Sequence, residues 1–352
     1  MEGRQRDSLG SVAAVITRVE PFHFFLRALV FGILLCLIQP GHAQESPQEK
    51  TQAIQVSVDR VNVGVIVTDS NGHFAEGLRR EDFHILDNSI EQPLTDFAAI
   101  EGPAQVLLLI EAGPAVYLLE GGHLEAALAL LHGLSADDRV AVVKYAEAPM
   151  ALLDFTSNKQ AAQAALGHLR FNLGFSSLNL SSSVLKTLEW LASVQGKKSL
   201  VLLSTGVDTS PSNEAAMVMQ KLKINEVRLL AVSLTGGLQN SQPANKKKSA
   251  AKTSTQAAQQ FEQADQLLKR MAESTGGRAY FPRNANEFSA AYMEIAQLVR
   301  HEYSLAFAPP VRDGLIHLIE VHVDAPKTST PNALVPSYRV DHRQAYLAPA
   351  PK

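Results

Sequence analysis

The sequence lacks most of the residues and motifs that covalent frameworks and catalytic sites use. Its 352 residues include one cysteine, Cys36, so no disulfide scaffold can form and the fold must rely on its hydrophobic core. No Gly-x-Ser-x-Gly elbow, His-Glu-x-x-His pair, Walker loop or Gly-x-Gly-x-x-Gly turn occurs, and no nucleophile or acid/base pair stands at a recognisable spacing. The formal net charge of -3 gives no basic surface for nucleic acid.

Long apolar runs are also missing. The run Ala28 to Ile38 is shorter than the roughly 20 residues that a spanning helix needs. Arginines precede it and the small residues Gly41 and Ala43 follow it, a pattern that predicts a signal peptide over 1–43, cleaved after Ala43. An uncleaved anchor is the alternative. Cleavage would release a periplasmic or secreted protein without cysteine and without stable membrane insertion.

The first part of the predicted mature chain is β-rich. Residues 44–53 are polar and are interpreted as a linker. Apolar side chains then alternate with polar ones between Ile54 and Val67, which is the period of a half-buried strand. Turn signals separate further short strands, so we predict a β-rich N-terminal module over 54–101.

A fully buried strand is predicted at Val106 to Ile110. Its five apolar residues show no polar alternation, which is typical of a parallel strand covered on both faces. The run ends at Glu111, and Gly113-Pro114 must turn the chain. Ligands of open α/β sheets bind at the carboxyl ends of the strands, so Glu111 is a candidate site residue.

Strand and helix patterns alternate through 104–301, which predicts an α/β fold with a doubly wound, mostly parallel sheet. The predicted strands after the first are 139–145, 152–155, 198–203, 227–234 and 278–281, and the predicted helices are 121–133, 158–169, 180–194, 212–224, 261–274 and 284–299.

Two further segments complete the predicted organisation. Residues 238–258 are polar and contain Lys246-Lys-Lys248, so we predict a flexible, solvated loop within the α/β domain. Over 302–348 we predict C-terminal antiparallel β-strands outside the main sheet. The β-rich module over 54–101 is the candidate to pair with them. His317 and His322 would face opposite sides of one strand and are interpreted as exposed strand histidines, not as metal ligands.

Three loops lie at the predicted carboxyl edge, namely Glu111-Ala-Gly-Pro-Ala115, Phe175-Ser-Ser177 and Ser204-Thr-Gly-Val-Asp208. Together they resemble the von Willebrand factor A domain. The resemblance implies a Rossmann-like doubly wound sheet and extends over roughly 54–348. The stretch VNVGVIVTDSNGHFAEGLRREDFHILDN is similar to the β-rich leader of exported von Willebrand A-related proteins of the Acidobacteria type. The likeness continues in LSADDRVAVVKYAEAPMALLDFTSNKQAAQAAL, KKSLVLLSTGVDTS, ESTGGRAYFP and EYSLAFAPPVRDGLIHLIEVHV.

The resemblance implies a metal-ion-dependent adhesion site that is degenerate in this chain. The family pattern is Asp-x-Ser-x-Ser after the first strand, a Thr on a middle loop and an Asp after the fourth strand. Here Glu111 stands for the first Asp, Gly113 and Ala115 for the two serines, Ser176 for the Thr and Thr205 for the distal Asp. Asp208 follows three residues later and is a further candidate ligand. Magnesium wants near-ideal octahedral oxygen ligands, so we expect no cofactor, with a residual magnesium site as the alternative.

The resemblance implies protein partners and names none of them. We therefore expect an exported, non-catalytic protein-binding or scaffold module. A metal-dependent adhesin is one alternative. The other is an envelope enzyme or a hydrolase accessory, which would need a catalytic constellation that the sequence does not present.

Overall fold

The described part of the chain begins at Arg60. The computed structural model describes residues 60–117, 120–170, 177–241, 251–324 and 337–351, with the backbone alone at 115, 117, 120–126, 241 and 251–257. All of these residues belong to one unit, Ser57–Lys352. The other unit, Met1–Val56, contains the predicted signal peptide and linker and lies outside the described residues.

The fold is mixed α/β around a mostly parallel six-stranded sheet. Its strand order is β10-β9-β8-β5-β6-β7, and only the pairing of β6 with the edge strand β7 is antiparallel. These strands are β5 (Ala104–Glu111), β6 (Arg139–Tyr145), β7 (Pro149–Thr156), β8 (Lys197–Ser204), β9 (Arg228–Ser233) and β10 (Ala279–Tyr280).

Helices cover both faces of this sheet, as the unbroken apolar run in β5 requires. Val106, Leu108 and Ile110 point into one core, and Leu107 and Leu109 point into the other; all five side chains are fully buried. Burial of each such side chain contributes roughly 1.5–3 kcal/mol. The helices are α1 (Pro114–Tyr117), α2 (Glu120–Gly133), α3 (Lys159–Gly167), α4 (Leu180–Ala192), α5 (Ser212–Ile224), α6 (Thr235–Ser241), α7 (Ala251–Ser274) and α8 (Ala285–Leu298).

Two four-stranded antiparallel sheets flank the central sheet. Each combines strands from before and after the α/β region, in the orders β13-β1-β11-β4 and β14-β12-β2-β3, and a third core lies between them. The strands are β1 (Val61–Thr68), β2 (Phe83–Asp87), β3 (Ile90–Gln92), β4 (Leu94–Glu101), β11 (His301–Phe307), β12 (Ile316–Val323), β13 (Arg339–His342) and β14 (Ala345–Leu347). The domain boundaries drawn from the sequence stay predictions.

The loop prediction for 238–258 is wrong at both ends. Helix α6 continues to Ser241, and α7 begins at Ala251 instead of Phe261. Low apolar content misled the prediction: in 258–274, the part of α7 whose side chains are described, the buried residues, such as Leu268 and Met271, lie toward the end of the helix. The middle of the segment, 242–250, lies outside the described residues.

The prediction that both strand histidines are exposed is wrong for His317. Only 5% of His317 is exposed, because its Nδ1 lies 2.7 Å from Asp87 Oδ1 and its Nε2 lies 3.1 Å from Asp313 Oδ2. His322, five residues later, is exposed as predicted.

None of the helices in the described ranges combines the length and the apolar content that crossing a membrane requires.

Candidate functional site at the carboxyl edge

Parallel strand pairing brings an acidic residue and its partners together at one sheet edge. In the register of β5, Glu111 lies beside Tyr145 at the end of β6, and Ile110 lies beside Leu203 on β8. Ser204 ends β8 one residue later and Thr205 follows it. The carboxyl ends of three adjacent strands therefore carry the chemistry of this site, as expected for an open α/β sheet.

One oxygen of Glu111 is saturated with hydrogen bonds. Its Oε2 accepts from the Thr205 backbone N–H at 2.8 Å, the Thr205 hydroxyl at 2.8 Å, the Ser204 hydroxyl at 3.1 Å and the Tyr145 hydroxyl at 3.3 Å. The hydroxyls of Tyr145 and Ser204 also bond each other at 2.7 Å. Each hydroxyl carries one hydrogen, so when Tyr145 and Ser204 bond each other, one of them and the two Thr205 donors are left for Oε2. Three donors on one carboxylate oxygen leave it no lone pair for a metal ion.

The second oxygen of Glu111 is sealed from solvent. Glu111 is 0% exposed, and its Oε1 has no hydrogen-bond partner among the described residues. A Cβ added to Gly113 would meet Leu178 Cδ2 at 2.8 Å and Glu111 Oε1 at 3.2 Å. Leu178 therefore occupies the space that a serine side chain at position 113 would need.

Burial decides the protonation behaviour of this cluster. Desolvation raises the pKa of Glu111 and outweighs the hydrogen bonds from Thr205, Ser204 and Tyr145, which lower it. Burial and the neighbouring Glu111 charge raise the pKa of Tyr145 well above its ordinary value. A carboxyl group in such surroundings favours its neutral form.

Asp208 serves a helix instead of joining Glu111. Its Oδ2 accepts from the Ser181 hydroxyl at 2.5 Å, and its Oδ1 accepts from the backbone N–H groups of Ser181 at 3.3 Å and Ser210 at 2.9 Å. The N-cap residue of α4, Asn179, makes no side-chain cap of its own. Asp208 supplies the missing acceptor at the positive end of that helix.

Ser176, the remaining predicted site residue, lies outside the described residues, in 171–176. The structure thus places Glu111 and Thr205 in contact with each other, whereas Asp208 contacts the first turn of helix α4. Whether the four residues form a metal site stays a prediction of the sequence.

The described donor set does not fit magnesium. Magnesium dehydrates reluctantly and prefers carboxylate oxygens that are free to reach it, whereas Glu111 is covered and Asp208 is engaged by serine and backbone donors. Among the described residues, no group of three or more His, Cys, Asp or Glu side chains is arranged to hold a metal ion. The arrangement can fix a loop, hold a buried proton and stabilise the sheet edge.

Comparison with known proteins gives no family by sequence. No protein-family model and no curated protein matches this chain. Similar solved structures include a von Willebrand factor type A protein from Catenulispora acidiphila, with 10% identity over 84% of this chain and 75% of that one and a TM-score of 0.42. Manganese-loaded TRAP protein from Plasmodium vivax is 13% identical over 77% of this chain and 100% of that one, with a TM-score of 0.40. The conserved hypothetical protein BatB from Bacteroides thetaiotaomicron is 12% identical over 56% of this chain and 98% of that one, with a TM-score of 0.38.

These likenesses are too distant to carry an argument about function. The fold class rests instead on the strand order and pairing of this chain.

Sequence reasoning missed three residues of this site. Tyr145 was readable as the end of a predicted strand, and Ser204 as the first residue of the predicted loop 204–208, but neither was assigned to Glu111. Leu178 gave no signal, because its role as a cover depends on the folded path of the loop before α4.

Proposed function

We propose that this chain is an exported, non-catalytic protein-binding or scaffold module of the von Willebrand A-related, Acidobacteria type, with a degenerate metal-ion-dependent adhesion site. Its partner is a protein and not a nucleic acid, since the net charge of -3 offers no basic footprint. The proposal includes cleavage of the signal over 1–43 and a periplasmic or secreted location.

The observation that carries the proposal is the internal use of the edge residues. In a metal-dependent site, the carboxylates at the strand ends would face outward with free lone pairs. Here four donor atoms of the protein lie within hydrogen-bond distance of Glu111 Oε2, and Asp208 caps α4. The edge is therefore a structural element, and binding of a partner has to proceed without an ion at this position.

A metal-dependent adhesin is the second candidate, and one observation favours it. The Oε1 of Glu111 is buried without a hydrogen-bond partner among the described residues, which is costly by about 1–3 kcal/mol. A cation that displaced Leu178 would satisfy it. An envelope enzyme has no comparable support, because the hydroxyl groups that contact Glu111 belong to buried residues and the carboxyl group itself is fully buried.

Co-purification in the presence and absence of metal tests the proposal. The full chain would be isolated from its native cells and run on size exclusion in magnesium and in EDTA. We expect one protein partner at the same fixed ratio in both buffers. A partner that dissociates in EDTA would support the adhesin instead, and a chain that elutes alone in both buffers would contradict a binding module.

A further inference from the structure

A cationic cleft lies at the edge of the central sheet opposite Glu111. Its volume is about 520 Å³, and Lys197 and Arg228 line it from the amino ends of β8 and β9. Glu302 of β11 and Arg343, between β13 and β14, line it from the flanking sheets. This volume falls within the roughly 300–1,000 Å³ of small-molecule sites.

Two buried nitrogen atoms on cationic side chains of the cleft are left without an acceptor. The Nζ of Lys197 and the Nε of Arg343 are both buried, and neither makes a hydrogen bond within the described part of the chain. Arg343 itself is 7% exposed and uses one guanidinium nitrogen, Nη2, to donate to Asn62 O at 2.5 Å. Buried cations are normally paired, because an unpaired one loses its hydration without compensation.

The acidic residues of the cleft compensate these cations only in part. Burial lowers the pKa of Lys197 and that of Arg343, although the Glu302 charge raises the first pKa and the Glu226 charge raises the second. Glu302 Oε2 lies 3.4 Å from Arg228 Nη2 and forms an ion pair with that guanidinium. The Nη1 of Arg228 donates to Gly276 O at 3.0 Å. Glu226 is exposed. With Lys198 included, the lining has four cationic side chains against two carboxylates, within a chain whose net charge is negative.

We propose that this cleft binds a small organic oxyanion, whose phosphate or carboxylate group is neutralised by Lys197 and Arg343. Lys197 Nζ and Arg343 Nε are closed to solvent in the free protein, so both side chains have to shift toward the cleft when the anion binds. The ligand carries one or two negative charges, because Arg228 is already paired with Glu302. This site is independent of the carboxyl edge and of the function proposed above.

Proton uptake distinguishes this site from surface charge. Burial lowers the pKa of Lys197 to about 8; the Glu302 charge opposes this shift and the Arg228 charge adds to it, with smaller effects from Asp138, which raises the pKa, and Arg300, which lowers it. A bound anion beside Lys197 raises that pKa again. Binding at pH 8 should therefore draw a proton onto Lys197.

Calorimetric titration of the full chain with inorganic phosphate, and in a second arm with succinate, tests the proposal. Titrations run at pH 8 and constant ionic strength, in two buffers of different ionisation enthalpy. We expect at least one anion to bind with net proton uptake, and Lys197→Met to weaken that binding at least tenfold. Lys197→Arg keeps the charge at every pH, so it should retain binding and lose the proton uptake.

Lys269→Met is the matched control, because the Lys269 side chain is 58% exposed on α7 and the substitution removes the same charge. It should bind like the parent protein. Equal affinities for the parent, Lys197→Met and Lys269→Met would assign any binding to surface charge and overturn the proposal. Absence of binding by both anions would overturn it as well. Thermal melting of each variant checks that it is folded.

Discussion

The substitution Glu111→Gln tests the buried carboxyl group through the pH dependence of stability. Because burial raises the pKa of Glu111 above its ordinary value of 4.5, folding binds a proton at this position. Stability from this group is fully present below pH 4.5 and is lost as the pH rises through the raised folded pKa. Each unit of pKa elevation corresponds to about 1.4 kcal/mol of lost stability.

The glutamine side chain of this variant does not titrate, so the substitution removes the pH-dependent component and adds a constant one. Its amide carries one more N–H donor than a neutral carboxyl group, and the surrounding Leu178 offers no acceptor, which costs about 1–3 kcal/mol. We expect the variant to be less stable than the parent by that amount at acidic pH. The gap should narrow or reverse toward pH 8, by about 1.4 kcal/mol for each unit of elevation.

Urea denaturation gives the free energy of unfolding of both proteins from pH 4.5 to 8.5. The fluorescence of Trp190 reports unfolding, since its ring centroid lies 5.6 Å from that of Phe155. Other titrating groups, such as His317, occur in both proteins and cancel in the difference. Glu189→Gln is the control, because Glu189 is 64% exposed on α4 and its substitution replaces one carboxylate without touching the buried cluster. A flat difference for Glu111→Gln, or a gap that widens with pH, would refute the reasoning.

Three further substitutions test contacts elsewhere. Arg278→Met should lower the free energy of unfolding, measured by urea denaturation, by about 3–5 kcal/mol. Arg278 is 6% exposed, and its ion pair with Asp341 at 2.5 Å joins β13 of a flanking sheet to the start of β10 in the central sheet. A loss below about 1 kcal/mol would mean that the ion pair is dispensable. Gly206→Ala should destabilise more than Gly72→Ala by thermal melting, since both have positive φ, of 72° and 85°, but a Cβ at 206 meets a backbone oxygen at 2.6 Å and one at 72 meets nothing within 4 Å. Burial lowers the pKa of His317 and its two carboxylate partners outweigh that effect, so the pKa is raised. Stability lost in His317→Asn should be largest below pH 6.5 and should shrink as the pH rises through that raised pKa, and a pH-independent loss in denaturation curves would contradict the ion pairs.

Local patterns predicted much of the secondary structure. The helix predicted at 212–224 is α5, Ser212–Ile224, because its polar and apolar residues already follow helical spacing. The helix predicted at 158–169 is capped by Asn158, whose side chain accepts from Ala161 N at 3.1 Å. Such signals lie within one turn of the chain and need no tertiary information.

The apolar and polar pattern alone gave no long-range partners. The location of Glu111 at the carboxyl edge followed from one apolar run, but its donor Thr205 lies 94 residues away. Only the family resemblance placed the two residues at one edge, and the pattern gave no register between β5 and β8. His317 illustrates the same limit. Alternation predicted which residues share its face of the strand, whereas its burial depends on Asp87, 230 residues earlier.

Thermal melting in magnesium and in EDTA tests the central claim that the carboxyl edge is an internal hydrogen-bond network. We expect the same melting temperature for the parent chain in both conditions. The positive control restores the family pattern by Glu111→Asp, Gly113→Ser, Ala115→Ser and Thr205→Asp, with Leu178→Ala to clear the contact at 2.8 Å. At about 100 times its dissociation constant, magnesium would stabilise that variant by roughly 2.7 kcal/mol. A rise of several degrees in the parent chain itself would contradict the claim.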